Sequence, residues 1–200
     1  MHEPNNKVRC LDCLECKGKR GGASKERPEN YKTRAPFLLF SADFFGKVSP
    51  QSISGNNWTL AFICDECGYA HAETIPAKRD APEALERFTK KIRAKCGAST
   101  MNEGPHEIIV GGIHTDNEPV LRSTRWREAC NLMKITELHS IPYVPQTNGT
   151  VERFIQTIKD ALRTMMAGVD SRTWDWAVEH VNTVWNMKEH PKCTKWNQGQ

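Results

Sequence analysis

The sequence predicts an α/β protein: a mixed five-stranded sheet flanked by helices, preceded by a short cysteine-containing appendage. Three observations carry that prediction. Apolar runs of strand length, such as PFLLFSADFF and WTLAFIC, are apolar at successive positions, as strands buried on both faces are. Other stretches place apolar residues at i, i+3, i+4 and i+7, the stripe of an amphipathic helix. The two kinds follow one another as β-β-β-α-β-α-β-α-α, which sets an antiparallel meander beside later strands joined through helices.

Taken in order, residues 1–35 are polar and carry Cys10, Cys13 and Cys16 at even spacing, and C-x-x-C followed by Gly-Lys is typical of zinc knuckles. GGASKERPENYKTRAP reads as a linker from its Gly, Pro and charge content. A first strand, Phe37 to Phe45, follows, with Asp43 near its end. A buried carboxylate without a partner is costly, so Asp43 should face a metal or another cation. SPQSISGNNW reads as a hairpin turn, Trp58 to Cys64 as a second strand and His71 to Ile75 as a third. Cys64 and Cys67 invite a zinc or redox reading, but positions i and i+3 of a regular strand point to opposite faces, so free thiols are expected.

AKRDAPEALERFTKKIRAKCG is the first helix, with Asp80 as N-cap, Pro82 in the first turn and Glu83 completing a capping-box-like pattern. Leu85, Phe88 and Ile92 form its buried stripe, and Lys90, Lys91, Arg93 and Lys95 a solvated face. Ile108 to His114 is the fourth strand, in which His114 reads as a packed residue rather than a catalytic base. Asp116 stands just past it. Asp116 and Asn117 are expected to cap a helix entered through Pro119, with WREACNLM as its apolar side and Arg122, Arg125 and Arg127 near enough to meet phosphates. Ile135 to Ile141 is the fifth strand, and Pro142 to Gly149 a loop in which Gly149 turns the backbone sharply. The next helix buries Val151, Phe154, Ile155, Ile158, Leu162 and Met165, and carries Glu152, Gln156, Lys159 and Arg163 on the opposite face. After AGVDSR, TWDWAVEHVNTVWNM closes the fold with Trp174, Val178, Val181 and Trp185 on one face, an aromatic pattern that reads as core.

The totals agree with one core domain and a small appendage: residues 1–33, a core over 34–190 and a tail over 191–200. A formal charge of +4 is compatible with nucleic acid and equally with many soluble proteins. No apolar run reaches the roughly 18 residues of a membrane span, and MHEPNNKVRC lacks the apolar region of a secretion signal. Eight cysteines in a chain read as non-secreted point to reduced thiols or metal ligands rather than to disulfides.

Chemistry enters with three acids. Two strand-end aspartates and a helical glutamate can converge and hold two divalent cations, which as hard ions take oxygen ligands. Such a pair, about 3.5–4 Å apart, serves phosphoryl transfer. Asp43, Asp116 and Glu152, with 35 residues between the last two, TDNEP around Asp116 and PQTNGTVERF around Glu152, resemble the catalytic core of retroviral-type integrases over roughly Arg34 to Glu189. CLDCLECKGKR resembles the cysteine half of the His-His-Cys-Cys zinc module that precedes such cores in copia-like LTR retrotransposons.

The resemblance implies an RNase H-like fold and metal-dependent DNA 3′-end processing and strand transfer, that is, DNA integration. It implies Asp43, Asp116 and Glu152 as catalytic residues holding two Mg²⁺ or Mn²⁺ ions, and Gln146, Asn148, Gln156, Lys159 and Arg163 against DNA. It further implies element-end and target DNA as partners, a homo-oligomer, no membrane, and a nuclear location. Departures are plain. Glu118-Pro119 stands where most integrase-like proteins have glycines, and CDEC stands where the family usually carries an Asp-Asp pair, matched at Asp65. Only His2 lies upstream of the cysteines, where the module needs two histidines. A chain cut short at its start is expected, with plain thiols at Cys10, Cys13 and Cys16 and zinc there as the alternative, since a closed zinc site wants four ligands. The rival functions are a cut-and-paste transposase or RNase H-like nuclease using the same acids, and a catalytically silent nucleic-acid-binding relic of a transposable element.

Overall fold

The computed structural model describes residues 36–97, 110–139 and 149–187. Cys10, Cys13, Cys16, Gln146, Asn148, the tail and most of the loop expected before Gly149 lie outside them.

Five strands, β1 (Leu39–Phe45), β2 (Trp58–Cys64), β3 (Ala70–Ile75), β4 (Gly112–Thr115) and β5 (Thr136–His139), form one sheet in the order β3-β2-β1-β4-β5. β1, β2 and β3 are an antiparallel meander, and β1, β4 and β5 run parallel. Four helices, α1 (Ala81–Gly97), α2 (Thr124–Leu132), α3 (Gly149–Met165) and α4 (Trp174–Met187), complete the α/β fold, which is compatible with an RNase H-like arrangement. The expected succession of elements holds. None of the helices among the described residues is long and apolar enough to cross a membrane.

Strand alternation explains the two layers. In β2, Leu60, Phe62 and Cys64 join Leu85, Phe88 and Ile92 of α1 and Trp126 of α2 in one core, while Ala61 and Ile63 join a second core with α3 and α4. Both faces are buried, which is why WTLAFIC reads as unbroken apolar sequence. In the first core Phe62 stacks on Phe88 at 4.1 Å between ring centroids, and Phe40 meets Phe88 edge-on at 4.9 Å. In the second, Val151, Phe154, Ile155, Ile158 and Leu162 face the sheet, but Met165 is exposed, because the helix ends there, beyond its buried stripe.

Several boundaries differ from expectation for local reasons. β1 begins at Leu39 because Phe37 sits in a turn at φ 62°, its N–H donating to Cys64 Sγ at 3.3 Å. α2 begins at Thr124, capped by Ser123, whose hydroxyl accepts from the Trp126 N–H; Pro119–Arg122 is only a 3₁₀ turn. Gly149 is the first residue of α3 and does not use a left-handed backbone. Asp80 lies in a 3₁₀ turn before α1, its carboxylate accepting from the Ala77 N–H at 3.0 Å. The basic face of α1 is fastened rather than free: Lys91 pairs with Glu73 at 2.8 Å, Arg93 donates to Met133 O at 3.0 Å, and Lys95 lies over the Tyr69 ring. Cys64 and Cys67 are buried free thiols as expected, yet not on opposite faces. The chain turns between them, and the Cys67 N–H points at Cys64 Sγ, 3.5 Å away. The neighbouring Cys67 thiol and burial both push Cys64 far above the ordinary thiol range.

The free edge of β3 is covered by α4. Asn182 accepts from Ala72 N–H at 2.8 Å and donates to Ala72 O at 2.8 Å. One helical turn on, Asn186 accepts from Ala70 N–H at 3.0 Å and donates to Ala70 O at 2.6 Å. Two side-chain amides thus stand in for a neighbouring strand.

Candidate functional site

The site is built where β4 ends beside β1, which runs on through Asp43 to Phe45. Register pairs Ser41 with His114 and Ala42 with Thr115, so the next residues, Asp43 and Asp116, follow each other across adjacent parallel strands. In β1, Phe40 and Ala42 enter the first core and Phe45 the second, so Asp43 shares the face on which α3 packs. Glu152 is the acid of the first turn of α3. Val151, Phe154 and Ile155 bury beside it and hold that turn against the sheet.

Asp43 feels the charge of the other acids. Asp43 is raised from 3.8 to about 6, by burial first, then by the charge on Asp116, with smaller contributions from Glu152 and Glu118. The Phe44 N–H, 2.6 Å from Asp43 Oδ1, works the other way. Asp116 is oriented by the Glu118 N–H, which donates to its Oδ1 at 3.0 Å. These are carboxylates only, the oxygen donors that Mg²⁺ or Mn²⁺ takes. Among the described residues no group of three or more His, Cys, Asp or Glu side chains is drawn closely enough to enclose an ion. The acids form a charge-coupled cluster rather than a closed cage.

The expected nucleic-acid residues on α3 behave differently from one another. Lys159 is half-buried and lies over the Phe45 ring, 5.5 Å from its centroid, two residues along β1 from Asp43. Gln156 and Arg163 are exposed and both bond Asp160, at 2.9 and 3.0 Å. Arg122 is exposed and reaches Asn117 at 3.2 Å, whereas Arg125 is committed to Glu83 and to the Arg79 carbonyl. His114 is buried in β4, as a packed strand residue. Asp65 accepts at 2.8 Å from the Oγ of Ser41, two residues before Asp43 in β1.

Sequence reasoning missed the support beneath the cluster. Lys78 pairs with Glu118 at 2.7 Å and is itself held over two rings, 5.0 Å from Phe44 and 4.7 Å from Trp58. The signal available was the departure at Glu118-Pro119. Its partner lies 40 residues away and has no periodicity to betray it.

Fold and site together define an α/β protein with Asp43 near the end of β1, Asp116 just past the adjacent parallel β4, and Glu152 in the first turn of the helix packed on the Asp43 face. The chain's homologues are retrotransposon polyproteins. It is 24% identical over 172 residues to the retrovirus-related Pol polyprotein from transposon TNT 1-94 of Nicotiana tabacum, a match covering 85% of this chain and 12% of that protein. It is 32% identical over 151 residues to the transposon Tf2-3 polyprotein of Schizosaccharomyces pombe, covering 74% of this chain and 10% of that protein. The chain therefore spans about a tenth of the length of the curated relatives it matches. No family model matches it.

Proposed function

We propose that this chain is the catalytic core of a retrotransposon integrase, a polynucleotidyl transferase that trims DNA 3′ ends and joins them to target DNA. The observation that carries the reading is that Asp43, near the end of β1, and Asp116, just past the end of β4, follow the last register pair of adjacent parallel strands, on the face where the helix carrying Glu152 packs. Asp43, Asp116 and Glu152 would hold Mg²⁺ or Mn²⁺. When bound, such ions supply charge stabilisation to the phosphodiester and favour the ionised form of the attacking hydroxyl.

The chain's own residues do the rest by placement. Phe44 N–H orients Asp43 and Glu118 N–H orients Asp116. Lys159, steadied on Phe45, is the cation best placed to anchor a phosphate of the DNA end, with Gln156 and Arg163 further along the same helix. Water attacks in end trimming and a DNA 3′-hydroxyl in joining; in each a P–O bond forms as another breaks, so no protein nucleophile is needed. Element-end and target DNA are the partners proposed with this reading, and the nucleus its location.

Disintegration of a branched oligonucleotide tests it. The wild-type chain is expected to resolve the branch with Mn²⁺, and Glu152→Gln to lose that activity by about a hundredfold or more while its circular dichroism is unchanged. Activity retained in Glu152→Gln refutes the assignment. DNA binding by the wild type without any cleavage or joining favours the silent relic.

A further inference from the structure

We propose that Lys78 is a positioning residue for the acid cluster, acting through Glu118 on Asp116; this rests on the reading of that cluster as the metal site. Phe44 serves both strand-end acids at once. Its N–H bonds Asp43, while its ring, turned to the opposite face of the sheet with Trp58, seats the Lys78 ammonium. Phe44 and Trp58 meet edge-on, 6.3 Å apart, so the seat is formed by packed rings rather than by a loose side chain. From it Lys78 Nζ reaches Glu118 Oε2 at 2.7 Å, with both side chains only about a quarter exposed, at 27% and 26%.

Glu118 is the residue whose N–H holds Asp116 Oδ1, and it opens the 3₁₀ turn Pro119–Arg122. Gripping its carboxylate therefore fixes the peptide that aims Asp116. The same grip does a second thing. Glu118 is near enough to add to the repulsion felt by Asp43, and the ion pair keeps this fourth carboxylate on the α1 side, away from the three acids. Glycine at this position would offer no such handle, so the departure at Glu118 and the aromatic seat for Lys78 form one device. Partners of metal ligands that touch no metal themselves change affinity by about 10–100-fold when removed.

The test uses the full 200-residue chain and Mn²⁺ alone. The double variant Lys78→Met/Glu118→Gln removes the ion pair and leaves the net charge unchanged, so altered affinity cannot be assigned to charge. Calorimetric titration is expected to show the Mn²⁺ dissociation constant raised about tenfold. Deuterium exchange across residues 117–122 is expected to speed up without metal. Lys78→Arg, which keeps both the charge and the stacking, should stay within about twofold of wild type. Should the double variant melt below the assay temperature, Lys78→Gln/Glu118→Gln, which also removes the ion pair and leaves the net charge unchanged, is read the same way.

Unchanged Mn²⁺ affinity overturns the proposal, whether or not exchange speeds up, since a tether the metal does not feel is only structural. Asp116→Asn separates the two claims. If it removes Mn²⁺ binding while the double variant binds normally, the tether alone fails. If it leaves Mn²⁺ binding intact, the reading of the acid cluster fails first.

Discussion

Asp43 is a carboxyl in a place that does not welcome its charge. Burial and the charge on Asp116 raise it from 3.8 to about 6, so the folded chain holds a proton that the unfolded chain has released. The sign follows. Below the unfolded value both states are protonated and nothing is lost. As pH climbs from about 4 to 6 the fold is increasingly penalised, and above 6 the penalty is constant at about 2 kcal/mol once solvent screening is allowed for. With a chelator present, Asp43→Asn should melt higher than wild type at pH 7.5 and at the same temperature at pH 4. A variant less stable at both pH values would show that Asp43 is an ordinary structural acid. Glu73 is the contrasting case: burial works to raise it, but the hydrogen bonds and charges of His71 and Lys91 win and hold it at about 2. A lone charge ending an apolar run was legible at Asp43. The pairing of Glu73 was not, because its partners come from another strand position and another helix.

At the scale of elements, the type and order of each segment could be read, since two-sided apolar runs and 3.6-residue stripes survive any tertiary context. Their ends could not. β1 loses Phe37 to a turn governed by Cys64 Sγ, and α2 loses its expected start to the 3₁₀ turn that Pro119 opens. The docking of α4 on β3 was also hidden. Asn182 and Asn186 read as polar positions of a helix, and only the fold shows their amides bonding the β3 edge. Asn182→Leu keeps the bulk but strands the N–H and C=O of buried Ala72, each costing about 1–3 kcal/mol. Chemical denaturation should register a loss of about 2–4 kcal/mol, with the uncovered edge promoting aggregation on refolding. A loss under about 0.5 kcal/mol would mean that water replaces the amide at no penalty.

For the whole molecule, what matters is that the acids come from three separate elements: Asp43 from the meander, Asp116 beyond β4, and Glu152 from α3, which packs on the face of the sheet that Asp43 shares. An ion held by all three ties together parts of the chain that only global folding brings near, so its binding energy is added to global stability and not to a local loop. At a free ion concentration about 100 times the dissociation constant, that addition is about 2.7 kcal/mol. For a domain of this size it corresponds to a rise of roughly 5–10 °C in melting temperature. Wild type titrated with Mn²⁺ at pH 7.5 should show that rise, and it should be larger at pH 7.5 than at pH 5, where Asp43 still holds its proton. The double variant Asp43→Asn/Asp116→Asn should melt higher than wild type without metal, relieved of mutual repulsion, and gain almost nothing from the ion. The two effects have opposite signs in one protein, which general damage to the fold cannot imitate. A metal-induced rise that survives in the double variant would place the ion elsewhere and remove the chemical basis of the proposed reaction.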